Sequence, residues 1–594
     1  MLTMTTTQEA QRLLKMGDYF AVYDCVQKSL EEDSFSSELV YLGLLALAKS
    51  GATNQALDLY EIYKERIPQN GEFLSLLARL HKDLCIQSKD NASIKKYGEL
   101  GRELYLQAFD TDPSYYPLIN AAFLSLWIGD NKEVKNLANR VLELCAQEAN
   151  ADGLNAYYVR ATEAEAHLLL GQTDLVEQKL KNARQHCPWD LANLSGTYRQ
   201  LKLICQTKNL PITLLEKIRP PAVITYTGQL MHGMGKSPGI DPSDENAIAQ
   251  AIADLIEKHK VRVAYGSLAC GADILVAEAI LKAGGELNII LPFERQEFEQ
   301  ISVAPAGQQW VKRYYEILER ADSISQVVGE GVSGHDLLFE ACAHQAMGMA
   351  HLRSQTLGSK AFQIAVWNEQ NLHSAAGTTG AMQRWESLGL ENLVVPVPPT
   401  KNKGVNPVKP SPPPPGPRRQ MKAMIFADVK GFSNLPESSL AVFLPWWMRA
   451  LQRIHSNYGE HVQYINTWGD ASYSVIDDVS RAASIALDMA KMFDDPEFIS
   501  LKLPNTLGFR VAAHVGPIFQ TENPVTGKQD FFGMHVNQTA RLEPCTPPGS
   551  VYVTEPFAAF ISFEGKGIYR CEYVGNHPLP KDFGRIRMYH LQQS

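Results

Sequence analysis

Between residues 396 and 420 the chain reads PVPPTKNKGVNPVKPSPPPPGPRRQ. Each proline fixes φ and withholds a backbone N–H, so the stretch can enter neither a helix nor the interior of a sheet. It is expected to run as an extended polyproline linker over 397–420, and a domain boundary falls there. At 594 residues the chain is also too long for a single core. Its 45% hydrophobic and 20% charged residues are ordinary for globular protein. The net charge of −9 argues against a general affinity for nucleic acid or an anionic membrane. No apolar run reaches the roughly 18 residues that span a bilayer. The start, MLTMTTTQEAQRLLKMGDY, lacks a basic and then apolar stretch, so no signal peptide is expected. Nine cysteines are scattered singly without any CxxC, as expected of reduced thiols in a cytoplasmic protein.

Residues 1–212 read as helix after helix. In AQRLLKMGDYFAVYDCVQKSLEED the apolar positions recur at helical spacing, and Gly17-Asp18 breaks one helix from the next. The same punctuation returns in LLALAKSGATNQALDLYEIY, AAFLSLWIGDNKEVKNLANRVLELC and AHLLLGQTDLVEQKLKNARQHCP. The pattern resembles degenerate tetratricopeptide repeats, which implies an all-α solenoid whose concave face takes a protein or peptide partner. A helical bundle without a ligand is the plainer alternative.

From 219 to 396 strands alternate with helices. PAVITYTG, VRVAYGSLACGAD and ELNIILPF read as strands, with DENAIAQAIADLIEKHK and ILVAEAILKAGG as helices between them, and this order predicts a parallel sheet covered on both faces. A Walker-type phosphate loop at Gly235-Lys236-Ser237 is rejected, because the glycine it requires is Leu230 and Pro238 follows at once. Thr227-Gly228 after the first strand and the run from Gly266 and Ser267 to Gly271 and Asp273 after the second resemble the SLOG superfamily of Rossmann-like nucleotide sensors. The resemblance implies that Thr227, Gly228, Gly266, Ser267 and Gly271 line a site for a nucleotide-like ligand. A tight strand-to-helix turn explains the same glycines without one.

Beyond the prolines, the strand-like run Met424-Ile425-Phe426-Ala427 closes on Asp428, and Gly469-Asp470 sits at the turn of a hairpin, EHVQYINTWGDASYSVI. Neighbouring antiparallel strands would bring both acids to one spot, where two carboxylates repel unless they share a proton or a cation. Hard oxygen ligands with open positions suit Mg²⁺ or Mn²⁺ held together with a polyphosphate. Downstream, FRVAAHVGPIF reads as a strand ending at His514-Val515-Gly516-Pro517. In DFFGMHVNQTARLEPC, Asn537 and Arg541 are four apart on a helix and so share a face.

Four stretches in order, Phe426 to Ser433, Gly469-Asp470, His514 to Pro517 and Val536 to Glu543, resemble the class III nucleotidyl (adenylate and guanylate) cyclase catalytic domain over 421–594. The resemblance implies an α+β ferredoxin-like fold and a homodimer with sites shared between chains. It assigns two Mg²⁺ or Mn²⁺ per site to Asp428, Asp470 and the Val429 carbonyl. Asn537 and Arg541 would stabilise the transition state, and Lys581 would hold the triphosphate. Phe432, Asn466, Trp468 and Asp530 fall where the substrate binds. Asn466 and Asp530 stand in the base-reading positions, where the family carries lysine and aspartate for adenine or glutamate and cysteine for guanine. Asp530 can accept from the exocyclic amine of adenine or cytosine, whereas Asn466 can donate or accept. ATP is the expected substrate, with GTP or a pyrimidine triphosphate open. A silent cyclase-like scaffold and a hydrolase in the middle domain are the competing functions.

Overall fold

Gly17 and Asp18 separate two helices by different means. Helix α1 (Thr6–Met16) opens on a capping box formed by Thr5 and Gln8 and closes on Gly17 at φ 69°, whose N–H reaches the Leu13 and Leu14 carbonyls. The Asp18 carboxylate then accepts from the Ala21 N–H and starts α2 (Tyr19–Glu31). In this computed structural model the alternation continues through α3 (Ser37–Ser50), α4 (Thr53–Tyr63), α5 (Gly71–Gln87), α6 (Asn91–Thr111), α7 (Tyr115–Trp127), α8 (Asn131–Gln147), α9 (Gly153–Leu170), α10 (Thr173–His186) and α11 (Leu191–Thr207). The structure describes residues 5–32, 35–231, 239–329, 336–368, 377–398, 418–504, 507–565, 567–580 and 584–594. Gly235-Lys236-Ser237, residues 399–417 of the proline-rich stretch and Lys581 lie outside the described residues.

Met1–Pro221 forms the body of one compact unit. Its core runs along α7 to α11, with Phe123, Leu124, Val141, Ala164, Leu180 and Leu201 fully buried. A second cluster joins Ala10 of α1 and Val22 of α2 to Ala192 of α11. Arg199 of α11 also donates to the Lys49 carbonyl at the end of α3. The helical array therefore closes first helix upon last.

Residues from Ala222 on contribute most of the other unit. Strands β1 (Ala222–Gly228), β2 (Val261–Gly266), β3 (Glu286–Leu291), β4 (Ser323–Gln326), β5 (Ala361–Trp367) and β6 (Glu391–Pro396) are separated by α12 (Glu245–Lys258), α13 (Ala272–Lys282), α14 (Arg295–Ser302), α15 (Gln308–Arg320), α16 (Asp336–Leu357) and α17 (Thr378–Ser387). All pair in parallel in the order β4-β3-β2-β1-β5-β6, with the order reversing beside β1. The glycines here are packed against their own chain. A Cβ on Gly266 would meet the Tyr226 ring at 2.3 Å, and one on Gly271, already at φ 95°, would meet the Gln229 carbonyl oxygen at 2.6 Å.

The second sheet begins with β7 (Arg418–Lys430), which enters regular pairing before residue 420, where the linker was expected to end. It is followed by α18 (Glu437–Ser456), the hairpin β8 (Val462–Trp468) and β9 (Ala471–Ile476), α19 (Val479–Lys491), α20 (Pro496–Ser500), β10 (Gly508–Asn523), β11 (Lys528–Phe532), α21 (Met534–Leu542), β12 (Val551–Thr554), α22 (Glu555–Glu564), β13 (Tyr569–Pro578) and β14 (Arg585–Gln593). The order is β13-β14-β12-β10-β7-β9-β8, with β11 on the free part of β10. Strand β10 does not stop at Pro517. It pairs with β7 from Gly508 to Gln520, while its other edge serves β12 at Val511–Ala513 and β11 from Phe519. Pro517 falls in the gap between those two partners, where a missing N–H costs no ladder bond.

The two sheets are joined within this unit by α16 crossing α22. The Ser562 hydroxyl donates to the Gly348 carbonyl at 3.2 Å, the His351 ring contacts the Ser562 carbonyl at 2.9 Å, and His344 meets the Phe560 ring edge-on. A Cβ on Gly348 would lie 2.4 Å from the Ala559 carbonyl oxygen. Gly→Ala inside a helix ordinarily stabilises by up to about 1 kcal/mol. Gly348→Ala is expected to do the opposite, destabilising by about 1–3 kcal/mol through overpacking. Denaturant unfolding of the full chain reads the sign.

Candidate active site

Strand β7 carries Asp428 near its end, and pairing of Ala427 with Ser472 of β9 sets Asp428 beside the β8–β9 turn that holds Asp470. Gly469 makes that turn at φ 62°. The two carboxyls stand within hydrogen-bonding reach, and the Asp470 acid is pushed up to about 6, first by burial and then by the Asp428 charge. Val429 is buried and registers with Phe509. Beyond Gly431, at φ 88°, Phe432 packs on Phe443 of α18 with ring centroids 5.8 Å apart.

Two residues not singled out from sequence join this corner. Arg510 of β10 registers directly opposite Asp428, and its Nη1 lies 3.5 Å from Oε1 of Glu543, just beyond α21. Glu543 is pushed up to about 7 by burial and by Asp428, against the pull of Arg510. An arginine in the otherwise apolar FRVAAHV strand was the visible signal for the first. The second follows only once β10 is registered on β7.

Asn466 of β8 and Asp530 of β11 are brought together around Tyr464. Burial and Asp530 raise the Tyr464 phenol, while a hydrogen bond with Asn466 works the other way. The Asp530 carboxylate accepts from the Asn523 amide at 3.0 Å and from the Phe531 N–H. Trp468 ends β8 with 54% of its surface exposed. Asn537 and Arg541 lie one turn apart on α21, Asn537 exposed and Arg541 half-buried. Among the described residues no hydrogen bond or ion pair joins Asn537 to Asp428 or Asp470.

The acidic pair is a candidate metal centre. Among the described residues no group of three or more His, Cys, Asp or Glu side chains is arranged to hold an ion. Two adjacent carboxylates remain, with Asp470 held above the usual carboxylate range by burial and then by the Asp428 charge. That is the donor set of a hard divalent cation whose other positions are taken by carbonyl, water or substrate oxygens, and the pair fits it.

The start of α21 is held by a chain of rings. His514 of β10 bonds Thr554 Oγ1 through Nδ1 and His535 Nδ1 through Nε2, each at 2.7 Å. The His535 ring also bonds the Val327 carbonyl just after β4. A cavity of about 340 Å³ borders this chain, with Gln345, Gln538 and Glu555 among its walls. Gly516 leaves room for the His535 ring, since a Cβ there would lie 2.4 Å from Nδ1.

Residues 417–593 match the family model of the adenylate and guanylate cyclase catalytic domain, and residues 18–125 match that of Tetratricopeptide Repeats-Sensor. A class III nucleotidyl cyclase catalytic domain therefore forms the C-terminal part of the chain, and the protein is an enzyme of the phosphorus–oxygen lyase type. Among solved structures it is similar to the adenylyl cyclase CyaB from P. aeruginosa, at 16% identity over 30% of this chain and 97% of that one (TM-score 0.27). It is also similar to the guanylate cyclase domain of RhGC from Catenaria anguillulae in complex with GTP, at 19% identity over 29% and 96% (TM-score 0.26). An adenylate cyclase from Trypanosoma brucei in its monomeric state matches at 20% identity over 29% and 89% (TM-score 0.24). No curated protein matched the chain.

The ring chain carries a pH dependence. Burial, then His535, holds His514 well below the usual histidine range. Burial, then the Arg419 charge, lowers His535 to about 4. A histidine depressed in the fold leaves the unfolded chain with more bound protons between the two pKa values. Its stabilisation is therefore complete above about 6.5 and is lost as pH falls toward 4. Thermal or denaturant unfolding should show about 1 kcal/mol lost between pH 7 and 5.5 for one such ring, and a shallower loss in His514→Phe.

Proposed function

We propose that the chain works as a homodimeric nucleotidyl cyclase that converts ATP to the 3′,5′-cyclic monophosphate and pyrophosphate. Its rate is regulated through the segments preceding the proline-rich stretch. The observation that carries this reading is the Asp428–Asp470 pair at the β7 end and the β8–β9 turn, inside a domain of the cyclase family. Divalent cations held by the two carboxylates and the Val429 carbonyl would supply the positive charge that acidifies the ribose 3′-hydroxyl and screens the triphosphate.

The chain's own residues take the remaining work. Asp530 accepts from the exocyclic amine of the base, and the Asn466 amide reads the neighbouring edge. Arg541 and Lys581 offset charge that grows on the phosphoryl oxygens as the 3′-oxygen attacks the α-phosphorus and pyrophosphate departs. The exposed Asn537 amide, on the face it shares with Arg541, orients the ribose. Ile465, Trp468, Phe532 and Met534, all large and exposed on β8, β11 and the start of α21, support a second copy packing on this face. In such a dimer the acids of one chain would meet Asn537 and Arg541 of its partner. The middle domain, which resembles the SLOG sensors, is proposed to take a nucleotide-like ligand at Thr227, Gly228, Gly266, Ser267 and Gly271.

Incubating the full chain with each of the four ribonucleoside triphosphates and Mn²⁺, with products identified by mass, tests the activity and the base together. Cyclic AMP as the main product is expected, and no cyclic nucleotide from any substrate would refute the reading. Asp428→Ala and Asp470→Ala should each fall below about a tenth of the wild-type rate with folding unchanged, because each removes an ion ligand. Mixing inactive Asp470→Ala with inactive Arg541→Ala chains should restore activity, since a heterodimer rebuilds one whole site from two intact halves. A mixture as inactive as its parents, with subunit exchange verified, would rule out shared sites.

A further inference from the structure

The closed helical array places an unusual set of charges in its interior. Lys82 of α5 donates to Asn120 of α7 at 2.7 Å and to Gln200 of α11 at 3.1 Å, and the Gln200 amide donates to Glu165 of α9 at 2.8 Å. Arg79 stands one turn before Asp83 on α5, its Nε 3.8 Å from the carboxylate. Arg199 of α11 reaches across to the end of α3, and Lys49 there lies 5.9 Å from the Tyr19 ring centre. Alternate helices, α3 through α11, thus face one lumen.

Four cations, Lys49, Arg79, Lys82 and Arg199, share that lumen with two carboxylates, Asp83 and Glu165. Asp190, whose charge also reaches Lys49, is engaged in capping α11 through the Asn193 N–H and amide. The Lys49 ammonium makes no hydrogen bond or ion pair among the described residues. Among the described residues the buried Arg79 Nε and Tyr19 hydroxyl have no hydrogen-bond partner. Like charges packed this closely raise the free energy of the fold unless something of opposite sign joins them. The strain is visible in the lysines: burial and then Arg79 push Lys49 down to about 7 and Lys82 to about 8. Burial also pushes Glu165 up to about 7, weakening the counter-charge already present. Arg79 and Asp83 keep about a fifth of their side-chain surface open to solvent, so the charge cluster reaches the surface at one edge.

We propose that this lumen is a binding site for a small polyanion carrying two or more linked phosphate groups, clamped by Lys49, Arg79, Lys82 and Arg199. The guanidinium forks of Arg79 and Arg199 match phosphate oxygens, and the two ammonium groups add point charges. Closure of the array favours a small molecule over an acidic peptide, which needs an open length of groove to lie along. The inference is independent of the cyclase reading, because none of these residues belongs to the C-terminal domain.

Calorimetric titration of the full chain with tripolyphosphate in EDTA, which removes metal-dependent binding elsewhere, should show one site per chain. Lys49→Met and Arg79→Gln should each weaken it at least tenfold. ADP in a parallel titration distinguishes a nucleotide from inorganic polyphosphate as the source of the phosphates. Lysine acetylation followed by mass spectrometry needs no variant: tripolyphosphate should slow modification of Lys49 and Lys82 at least fivefold relative to the exposed Lys95. No binding to the wild-type chain, affinity unchanged in both folded variants, or equal acetylation with and without tripolyphosphate would each overturn the proposal. An eight-residue polyglutamate that displaced tripolyphosphate at lower concentration would overturn the ligand class.

Discussion

The antiparallel ladder between β7 and β10 is the constraint on which the catalytic half depends. A single register, Gly508 against Lys430 through Gln520 against Arg418, sets Arg510 opposite Asp428 and His514 opposite Met424. A slip of one residue would turn every one of these side chains to the other face. The acids at one end of the ladder and the histidine chain farther along β10 are therefore placed by one pairing. The run Ala423–Ala427, almost wholly buried on both faces, resists the slip because each side chain would enter a packed site shaped for a neighbour of different size.

Legibility followed range. Asp428 and Asp470 could be read because a strand end and a hairpin turn are local patterns, and their meeting needs only adjacent strands. Asn466 and Asp530 were placed by resemblance, and their convergence on Tyr464 adds a phenol that spacing alone does not reveal. Glu543 and Arg510 were missed because their pairing depends on register. The His514–His535 contact was missed because it joins a strand to a helix beyond the next hairpin. Pro517 misled in the opposite sense: proline was read as a stop, but here it lies inside a long strand, opposite Met421 of β7, where the other edge of β10 has no partner among the described residues. The lumen charges look like solvated helix faces when read one helix at a time, and only closure of the array brings them together. Lys82, one turn from the apolar Ala78 and Ile86 on α5, was the one local sign.

The glycines show the same lesson from the side of packing. Gly266 and Gly271 follow strands where phosphates often bind, yet their missing Cβ atoms make room for Tyr226 and for the Gln229 carbonyl. Gly348 and Gly516 serve helix crossing and ring stacking in the same way. Close approach is the shared requirement, and the chain itself meets it at each position.

Closure of the helical array also changes how it must come apart. An open solenoid gains stability from each repeat and its neighbours, so it can fray from either end while the middle stays folded. Here α1 rests on α11, and both termini of the array are interior to the same contact. Fraying at one end strips the other of its neighbour, so partial states lose two interfaces rather than one. A chain of repeats whose ends meet is thereby driven toward all-or-none unfolding, with the cooperativity of a globule rather than the gradual melting of a rod.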